Sequence, residues 1–147
     1  MVGIMKKIVI CDIDGTIANN DHRQHYLEGK KDWDGFFSEI INDSPIMPVI
    51  KIINEEFEKG SNIIFVTGRP ERYRYSTNLW LKENFSFKYK LFMRKNGDQR
   101  NKLVIKKEIF EEFLKDLNIS LCIDNDNDLL DQWNDLGLRT INANDFL

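Results

Sequence analysis

The chain has 147 residues, of which 41% are hydrophobic and 31% are charged, and its formal net charge is -3. This length and balance predict one compact domain over residues 1–147. No segment approaches the ~20 continuous apolar residues that cross a bilayer, and no secretory pattern follows Met1, so neither a membrane protein nor a secreted one is expected. We expect a cytoplasmic protein whose Cys11 and Cys122 are reduced, buried thiols.

Short β-branched or apolar runs that end abruptly at polar residues predict buried strands, and apolar residues at helical spacing predict the helices between them. In chain order these segments are strand 7–11, helix 49–57, strand 62–66, a weaker strand 90–93, helix 110–117, strand 120–123, helix 129–136 and a weaker strand 139–142. Pro48 and Pro70 predict helix starts, and Gly60 and Gly137 predict helix ends. This alternation predicts an α/β fold, a Rossmann-like parallel sheet in three layers, α/β/α.

Polar residues follow each of the three strong strands. They are Asp12 and Asp14 after the first strand, Thr67-Gly68-Arg69 after the second, and Asp124 with the polar residues up to Asp128 after the third. Ligands of such sheets bind outside the carboxyl ends of the strands, so we expect one common crevice. Crowded carboxylates without His or Cys favour Mg²⁺. An aspartate nucleophile beside Mg²⁺ suits phosphoryl transfer, with a threonine hydroxyl and a lysine on the phosphate oxygens.

These clusters resemble the four ordered motifs of the haloacid dehalogenase (HAD) superfamily. The matching residues are Asp12-Ile13-Asp14-Gly15-Thr16, Thr67, a later lysine and Asp124. The resemblance implies that Asp12 is the nucleophile and that Asp14 is the general acid and base. It also implies that Thr67 and Lys106 hold the phosphate, and that Mg²⁺ is bound by Asp12, the Asp14 carbonyl and Asp124.

A more specific similarity, over about residues 7–146, is to the 3′-phosphatase domain of phage polynucleotide kinase and its stand-alone relatives. It is carried by Arg23, Thr67-Gly68-Arg69, Gly97-Asp98-Gln99-Arg100, Val104-Ile105-Lys106, and Asp124 with Trp133. It implies that Arg23, Gly68 and Arg69 bind the substrate phosphate. Two positions depart from the family pattern, because Lys102 replaces an aspartate and Asn125 replaces the second of two adjacent aspartates. Asn125 and Asp128 are therefore candidates for the outer shell of the metal.

The spacing of the motifs leaves a minimal cap or none. Between Thr67 and Lys106 there is room for one helix and one strand, and residues 19–44 can supply only a flap and a short segment. Segment 88–107 is strongly basic and segment 108–135 strongly acidic, which predicts that a polyanion is steered toward one rim. We therefore expect a 3′-phosphate on a nucleic-acid end as substrate, in nucleic-acid repair, with free nucleoside monophosphates as the alternative.

Further sequence features bear on partners, on other protein classes and on packing. Gly29-Lys30-Lys31 lacks the pattern of a kinase phosphate-binding loop, so a kinase or ligase would be a separate partner. A calcium-binding module is disfavoured because Leu129 stands where its loop needs glycine. A phospho-accepting switch is disfavoured because Thr67 ends the strand where its acceptor aspartate should lie. Trp33 and Trp80 are expected to pack in the interior.

Overall fold

The computed structural model describes residues 5–147. Its strands are β1 (Ile8–Cys11), β2 (Ala18–Asn19), β3 (Ser44–Pro45), β4 (Asn62–Pro70), β5 (Lys90–Arg94), β6 (Ile119–Asp124) and β7 (Thr140–Asn142). Its α-helices are α1 (Trp33–Ser38), α2 (Met47–Glu58), α3 (Arg74–Asn84), α4 (Lys102–Ile109) and α5 (Asn127–Asp135). Each predicted strand is therefore confirmed, including the two weaker ones.

Five of the strands form one parallel sheet in the order β5-β4-β1-β6-β7. Strand order reverses at β1, because the chain first adds β4 and β5 on one side and then β6 and β7 on the other. Side chains along β1 alternate between two cores: Val9 and Cys11 pack with α2 and α3, and Ile8 and Ile10 pack with α4 and α5. The predicted three-layer α/β/α fold is confirmed, with the crevice expected beside β1.

The helix predicted over 110–117 begins earlier than the apolar spacing indicates. The Asn101 side chain accepts a hydrogen bond from the Leu103 N–H at 2.8 Å and so starts α4 at Lys102. A π-helical turn, Phe110–Leu114, follows α4 directly. The apolar spacing therefore predicted only the π-helical turn and not α4 before it. The earlier start matters because it places Lys106 on a helix.

Residues 20–43 form a small insertion between β2 and β3, which pair as an antiparallel ribbon. The insertion holds α1 and has its own apolar cluster of Phe36, Phe37 and Ile40. This matches the expected minimal cap. Cys11 and Cys122 are both free and buried, as expected. Within the described part of the chain, no helix combines the length and hydrophobicity that a bilayer crossing demands.

Candidate active site

The first motif forms a sharp turn immediately after β1. The Asp12 N–H donates to the Ile123 carbonyl oxygen at 2.9 Å, so Asp12 still follows the sheet. The chain then folds back on the Ile13 carbonyl oxygen, with Gly15 at a φ of 75°. This positive φ favours glycine, and a Cβ atom here would press on the Asn125 side-chain amide, which would have to shift. The motif thus packs closely against the loop that follows β6.

A buried ammonium group lies between two buried carboxylates at the switch point of the sheet. Lys106 Nζ lies 2.8 Å from Asp12 Oδ1 and 2.9 Å from Asp124 Oδ2. All three residues are less than a tenth exposed, so water screens these charges only weakly. The Thr16 hydroxyl donates to Asp12 Oδ2 at 2.9 Å. Two donors therefore hold the Asp12 carboxylate in one orientation, as a positioned nucleophile requires.

This cluster carries excess negative charge. Burial and the facing Asp124 carboxylate raise the pKa of Asp12 to about 6, although Lys106 acts in the opposite direction. Burial lowers the pKa of Lys106, but the two carboxylates outweigh it and keep the pKa of this lysine above its usual value. Two acids thus share one ammonium group, and a further cation would relieve their repulsion.

The donor set at this point fits Mg²⁺. Within residues 5–147, no three His, Cys, Asp or Glu side chains lie close enough together to hold an ion unaided. Mg²⁺ in proteins often takes only one or two carboxylates and completes its shell with water and phosphate oxygens. Asp12 and Asp124 supply two carboxylates, and the Asp14 carbonyl oxygen would be a third protein ligand.

Of the two candidates for the outer shell, Asn125 lies beside the carboxylates. With its amide nitrogen turned toward them, Asn125 donates to Asp12 Oδ2 and to Asp124 Oδ1, both at 3.2 Å. Asp128 is instead exposed in the first turn of α5, where its backbone N–H donates to Asp126 Oδ1. The neutral amide of Asn125 therefore lies next to the Asp12 and Asp124 carboxylates without adding charge.

Asp14 faces two buried arginines on another side of the crevice. Arg23 Nη2 donates to Asp14 Oδ1 at 2.6 Å. Arg69 donates to the same oxygen from Nη2 at 2.8 Å and to Oδ2 from Nε at 3.0 Å. Burial raises the pKa of Asp14, but Arg69 and then Arg23 outweigh it and hold this pKa well below its usual range. In the absence of substrate, Asp14 is ionised and bound to both guanidinium groups.

Asp43, which the sequence patterns did not identify, binds the same arginines from the interior. Its Oδ1 accepts from Arg23 Nε at 2.8 Å, and its Oδ2 accepts from Arg23 Nη2 at 2.7 Å and from Arg69 Nη2 at 3.4 Å. His22 Nε2 lies 2.7 Å from Oδ1, and the Trp80 indole N–H donates to the Asp43 carbonyl oxygen at 2.8 Å. No motif surrounds Asp43, so its position in the sequence carried no signal of this role.

Thr67 and Gly68 lie near the end of β4, directly before Arg69. Thr67 is fully buried, and its hydroxyl oxygen accepts from the Arg69 N–H at 3.2 Å. The hydroxyl hydrogen can therefore point to a phosphate oxygen. Arg94 Nε donates to the Gly68 carbonyl oxygen at 2.7 Å and steadies this turn. The residues predicted to hold phosphate thus come from β4, the insertion and α4.

Acidic side chains pair with part of the basic segment 88–107. One of them lies within the segment, one directly after it and one at the start of α5. Arg100 contacts the Asp98 carboxylate at 2.8 Å and the Glu108 carboxylate at 2.5 Å. Lys102, where the family pattern expects an aspartate, lies with its Nζ 2.9 Å from Asp126 Oδ2. The charge asymmetry of the sequence is therefore weaker in the folded molecule, and it gives less support to a basic rim than the sequence pattern indicated.

The chain is similar to known proteins in both sequence and fold. A family profile described as the polynucleotide kinase PNKP phosphatase domain matches residues 6–146. The chain is 27% identical over 138 residues to a protein of Autographa californica nuclear polyhedrosis virus described as a bifunctional polynucleotide kinase/RNA ligase. That match covers 92% of this chain and 19% of the viral protein.

Solved structures give a consistent result. A chain in a structure of the Pnkp1/Rnl/Hen1 complex has a TM-score of 0.76 at 29% identity, covering 94% of this chain and 46% of its own length. A chain in a structure of the Pnkp1/Rnl/Hen1 RNA repair complex has a TM-score of 0.77 at 29% identity, covering 94% and 42%. A class C acid phosphatase from Bacillus anthracis, solved with tungstate, has a TM-score of 0.67 at 16% identity, covering 95% and 67%, and it shows the shared fold alone. The chain spans less than half the length of the viral relative and of the two chains from the Pnkp1/Rnl/Hen1 structures.

Proposed function

Because the chain belongs to the family of the polynucleotide kinase PNKP phosphatase domain, and is thus a HAD-type phosphatase, we propose that it removes the 3′-phosphate from nucleic-acid ends through an aspartyl-phosphate intermediate. The observation that carries this mechanism is the Asp12 carboxylate, buried at the switch point and held by Lys106 and Thr16. Asp14, two residues further on, is bound by two arginines that can also bind phosphate. These are the groups that a two-step phosphoryl transfer needs.

In the first step, an Asp12 oxygen attacks phosphorus, and the bond between phosphorus and the leaving oxygen breaks. Asp14 gives its proton to that oxygen, so the product leaves as an alcohol, here the 3′-hydroxyl of a strand. In the second step, Asp14 takes a proton from a water molecule, whose oxygen attacks the phosphoryl group on Asp12. Inorganic phosphate leaves, and Asp12 returns as a carboxylate.

Asp14 must be protonated to act as the acid, but its contacts with the two arginines favour the ionised carboxylate. Arg23 and Arg69 bind Asp14 through the same guanidinium groups that would bind phosphate oxygens. A phosphate dianion that takes over these contacts removes the stabilisation of the Asp14 carboxylate and so favours its protonated form. Binding of the substrate would thus prepare the acid for the first step.

Mg²⁺ would be bound by Asp12, Asp124 and the Asp14 carbonyl, where it would offset the repulsion between nucleophile and phosphate. Thr67 and Lys106 would bind the remaining phosphoryl oxygens. Since Lys106 Nζ already contacts the Asp12 and Asp124 carboxylates, it would hold the nucleophile and a substrate oxygen together. These roles are the ones that the resemblance of the sequence implied.

The small insertion supports a macromolecular substrate, because within residues 5–147 it is too short to close the crevice over a small metabolite as a cap domain would. The relatives support the same reading, since one is named as a kinase/RNA ligase and others as parts of a Pnkp1/Rnl/Hen1 complex. We propose a kinase and a ligase activity as the natural partners of this phosphatase. A nucleotidase remains the second candidate, since α1 could cover a single nucleotide.

The test is phosphate release with Mg²⁺ from a 3′-phosphorylated oligonucleotide, compared with nucleoside 3′- and 5′-monophosphates. We expect the oligonucleotide to have a kcat/KM at least tenfold higher, and we expect Asp12→Asn to abolish release while its circular dichroism stays that of the wild type. A preference for mononucleotides would favour the nucleotidase. Activity of Asp12→Asn near that of the wild type would refute the assignment of the nucleophile.

A further inference from the structure

Trp33 is exposed, although its sequence pattern favoured packing. It is 46% exposed, whereas the other two tryptophans, Trp80 and Trp133, are 1% and 2% exposed. A large apolar ring on the surface does not contribute the stabilisation of a buried ring, but it presents a flat face that a ligand can cover. Isolated exposed aromatic residues are common, however, so the position of Trp33 decides what it can do.

Trp33 opens α1, close to one of the arginines that bind Asp14. The Phe36 ring centre lies 5.8 Å from that of Trp33 and 4.3 Å from the guanidinium carbon of Arg23. The Trp33 ring therefore lies within about 10 Å of this guanidinium group. Successive nucleotides advance a stacked strand by roughly 3.4 Å. If Arg23 holds a terminal phosphate, the ring is within reach of the first few nucleotides of the strand.

Trp33 belongs to an aromatic ledge, formed with Phe37 and Tyr73, that is fixed to the crevice wall. The ring centres of Trp33 and Phe37 are 6.0 Å apart, and those of Phe37 and Tyr73 are 4.9 Å apart. Asp34 accepts from Arg72 Nη2 at 2.9 Å and from the Tyr73 hydroxyl at 2.5 Å, and both partners follow directly after β4. The ring is thus placed before a ligand arrives, so binding loses little conformational entropy.

Two lysines lie beside the ledge and can contact the phosphates of a strand. Lys30 and Lys31 are exposed immediately before Trp33, and Lys31 Nζ lies 5.6 Å from the centre of its ring. Two neighbouring acids have donors within the protein, because Asp32 accepts from the Gly35 N–H at 2.9 Å and Asp34 accepts from Arg72 and Tyr73. Cationic side chains beside an exposed aromatic ring are the combination that binds single-stranded nucleic acids.

We propose that Trp33 stacks on a nucleobase upstream of the terminal nucleotide of a single-stranded nucleic acid, with Lys30 and Lys31 beside its backbone phosphates. This inference rests on the proposed function and deepens it, because it names the feature that selects a strand over a mononucleotide. Every base has an aromatic face, so the ledge would recognise single strands without a preference for sequence.

Kinetics of matched variants test the proposal. Trp33→Ala should raise the KM for a 3′-phosphorylated single-stranded hexanucleotide at least tenfold, with kcat nearly unchanged, while kcat/KM for nucleoside 3′-monophosphates stays within about twofold. Trp33→Phe keeps a ring and should recover most of the loss. Phe113→Ala removes another ring, which is 51% exposed, and should leave kcat and KM for both substrates unchanged. Equal losses on both substrates, a loss in kcat alone, or no loss on the hexanucleotide would overturn the proposal.

Fluorescence provides a readout that does not need turnover. Because Trp80 and Trp133 are buried, quenching by an added strand reports mainly on Trp33. In the Asp12→Asn protein, the 3′-phosphorylated hexanucleotide should quench fluorescence saturably, and adding Trp33→Phe should remove that quenching. If anisotropy shows binding without quenching, stacking is refuted. If the wild type hydrolyses the strand but the strand does not quench the Asp12→Asn protein, stacking alone is refuted. If the wild type hydrolyses no phosphomonoester, the proposed function itself is refuted.

Discussion

Each of the two buried arginines at the site shares its charge between two aspartates. Arg23 and Arg69 bind Asp14 at the crevice and Asp43 in the interior. A buried guanidinium group left without a carboxylate is strongly destabilising. Asp43 therefore holds both guanidinium groups in place when a phosphate group takes over their contacts with Asp14. A residue with no part in bond making can in this way determine where the substrate is held.

Asp43→Asn should lower kcat/KM at least tenfold, about 1.4 kcal/mol of transition-state stabilisation, because a neutral amide fixes the two guanidinium groups less firmly. Steady-state kinetics on the 3′-phosphorylated oligonucleotide measure this effect, and thermal unfolding measures the accompanying loss of stability. His22→Ala is the matched control, because His22 also contacts the Asp43 carboxylate but is partly exposed. It should change kcat/KM less than about threefold. An unchanged rate per folded molecule in Asp43→Asn would restrict Asp43 to a structural role.

Helix α5 begins next to Asp124 because Asp126 caps it. Asp126 Oδ1 accepts from the N–H groups of Asp128 and Leu129 at 2.9 and 3.3 Å, and Asp126 Oδ2 pairs with Lys102 at 2.9 Å. The cap is local and can be read from an aspartate before an apolar helical pattern. The pairing with Lys102 joins α4 to α5, which no local pattern indicates.

The two roles of Asp126 can be separated by substitution. Asp126→Ala should lower the free energy of unfolding by about 1 kcal/mol because it removes the cap. Asp126→Asn keeps a good capping residue and removes only the half-exposed ion pair, so it should cost a few tenths of a kcal/mol. Urea denaturation of both variants measures the difference. Equal losses would mean that the pair with Lys102, and not the cap, carries the stabilisation.

For the whole molecule, the active site lowers stability near neutral pH. The pKa of Asp12 is raised to about 6 by burial and by Asp124, so the folded state holds this proton more tightly than the unfolded chain does. The resulting stabilisation is fully present below about pH 4 and is lost as the pH rises through about 6. Ionised Asp12 thus makes the metal-free protein less stable, as expected of a site prepared for a cation.

Asp12→Asn should therefore be more stable than the wild type at pH 7 in EDTA, by an amount of the order of 1 to 3 kcal/mol, and should lose this advantage near pH 4. Denaturant unfolding of both proteins across this pH range gives the difference directly. Asp116→Asn, at an exposed position, should show no such pH-dependent gain. A constant difference between Asp12→Asn and the wild type would contradict the assigned ionisation.

The fold was largely predictable because it follows from local patterns. Short apolar runs that end before Asp12, Thr67 and Asp124 predicted three strands of the sheet, and the structure places these strands side by side. Since parallel strands bring their carboxyl ends to one edge, these residues could be expected to meet in one crevice. The start of α4 was not predicted, because its first turn holds three consecutive apolar residues, Leu103, Val104 and Ile105, which lack the spacing of an amphipathic helix.

By itself, the sequence determined the strand ends, the sharp turn at Gly15 and the family of the chain, since each depends on residues that are close neighbours or on ordered motifs. The tertiary structure alone decided that Asp43 anchors the arginines, that Lys102 pairs with Asp126, and that Trp33 faces solvent beside the crevice. Such contacts join segments that are distant along the chain. Their formation depends on how helices and the insertion pack on the sheet, which spacing and composition do not specify.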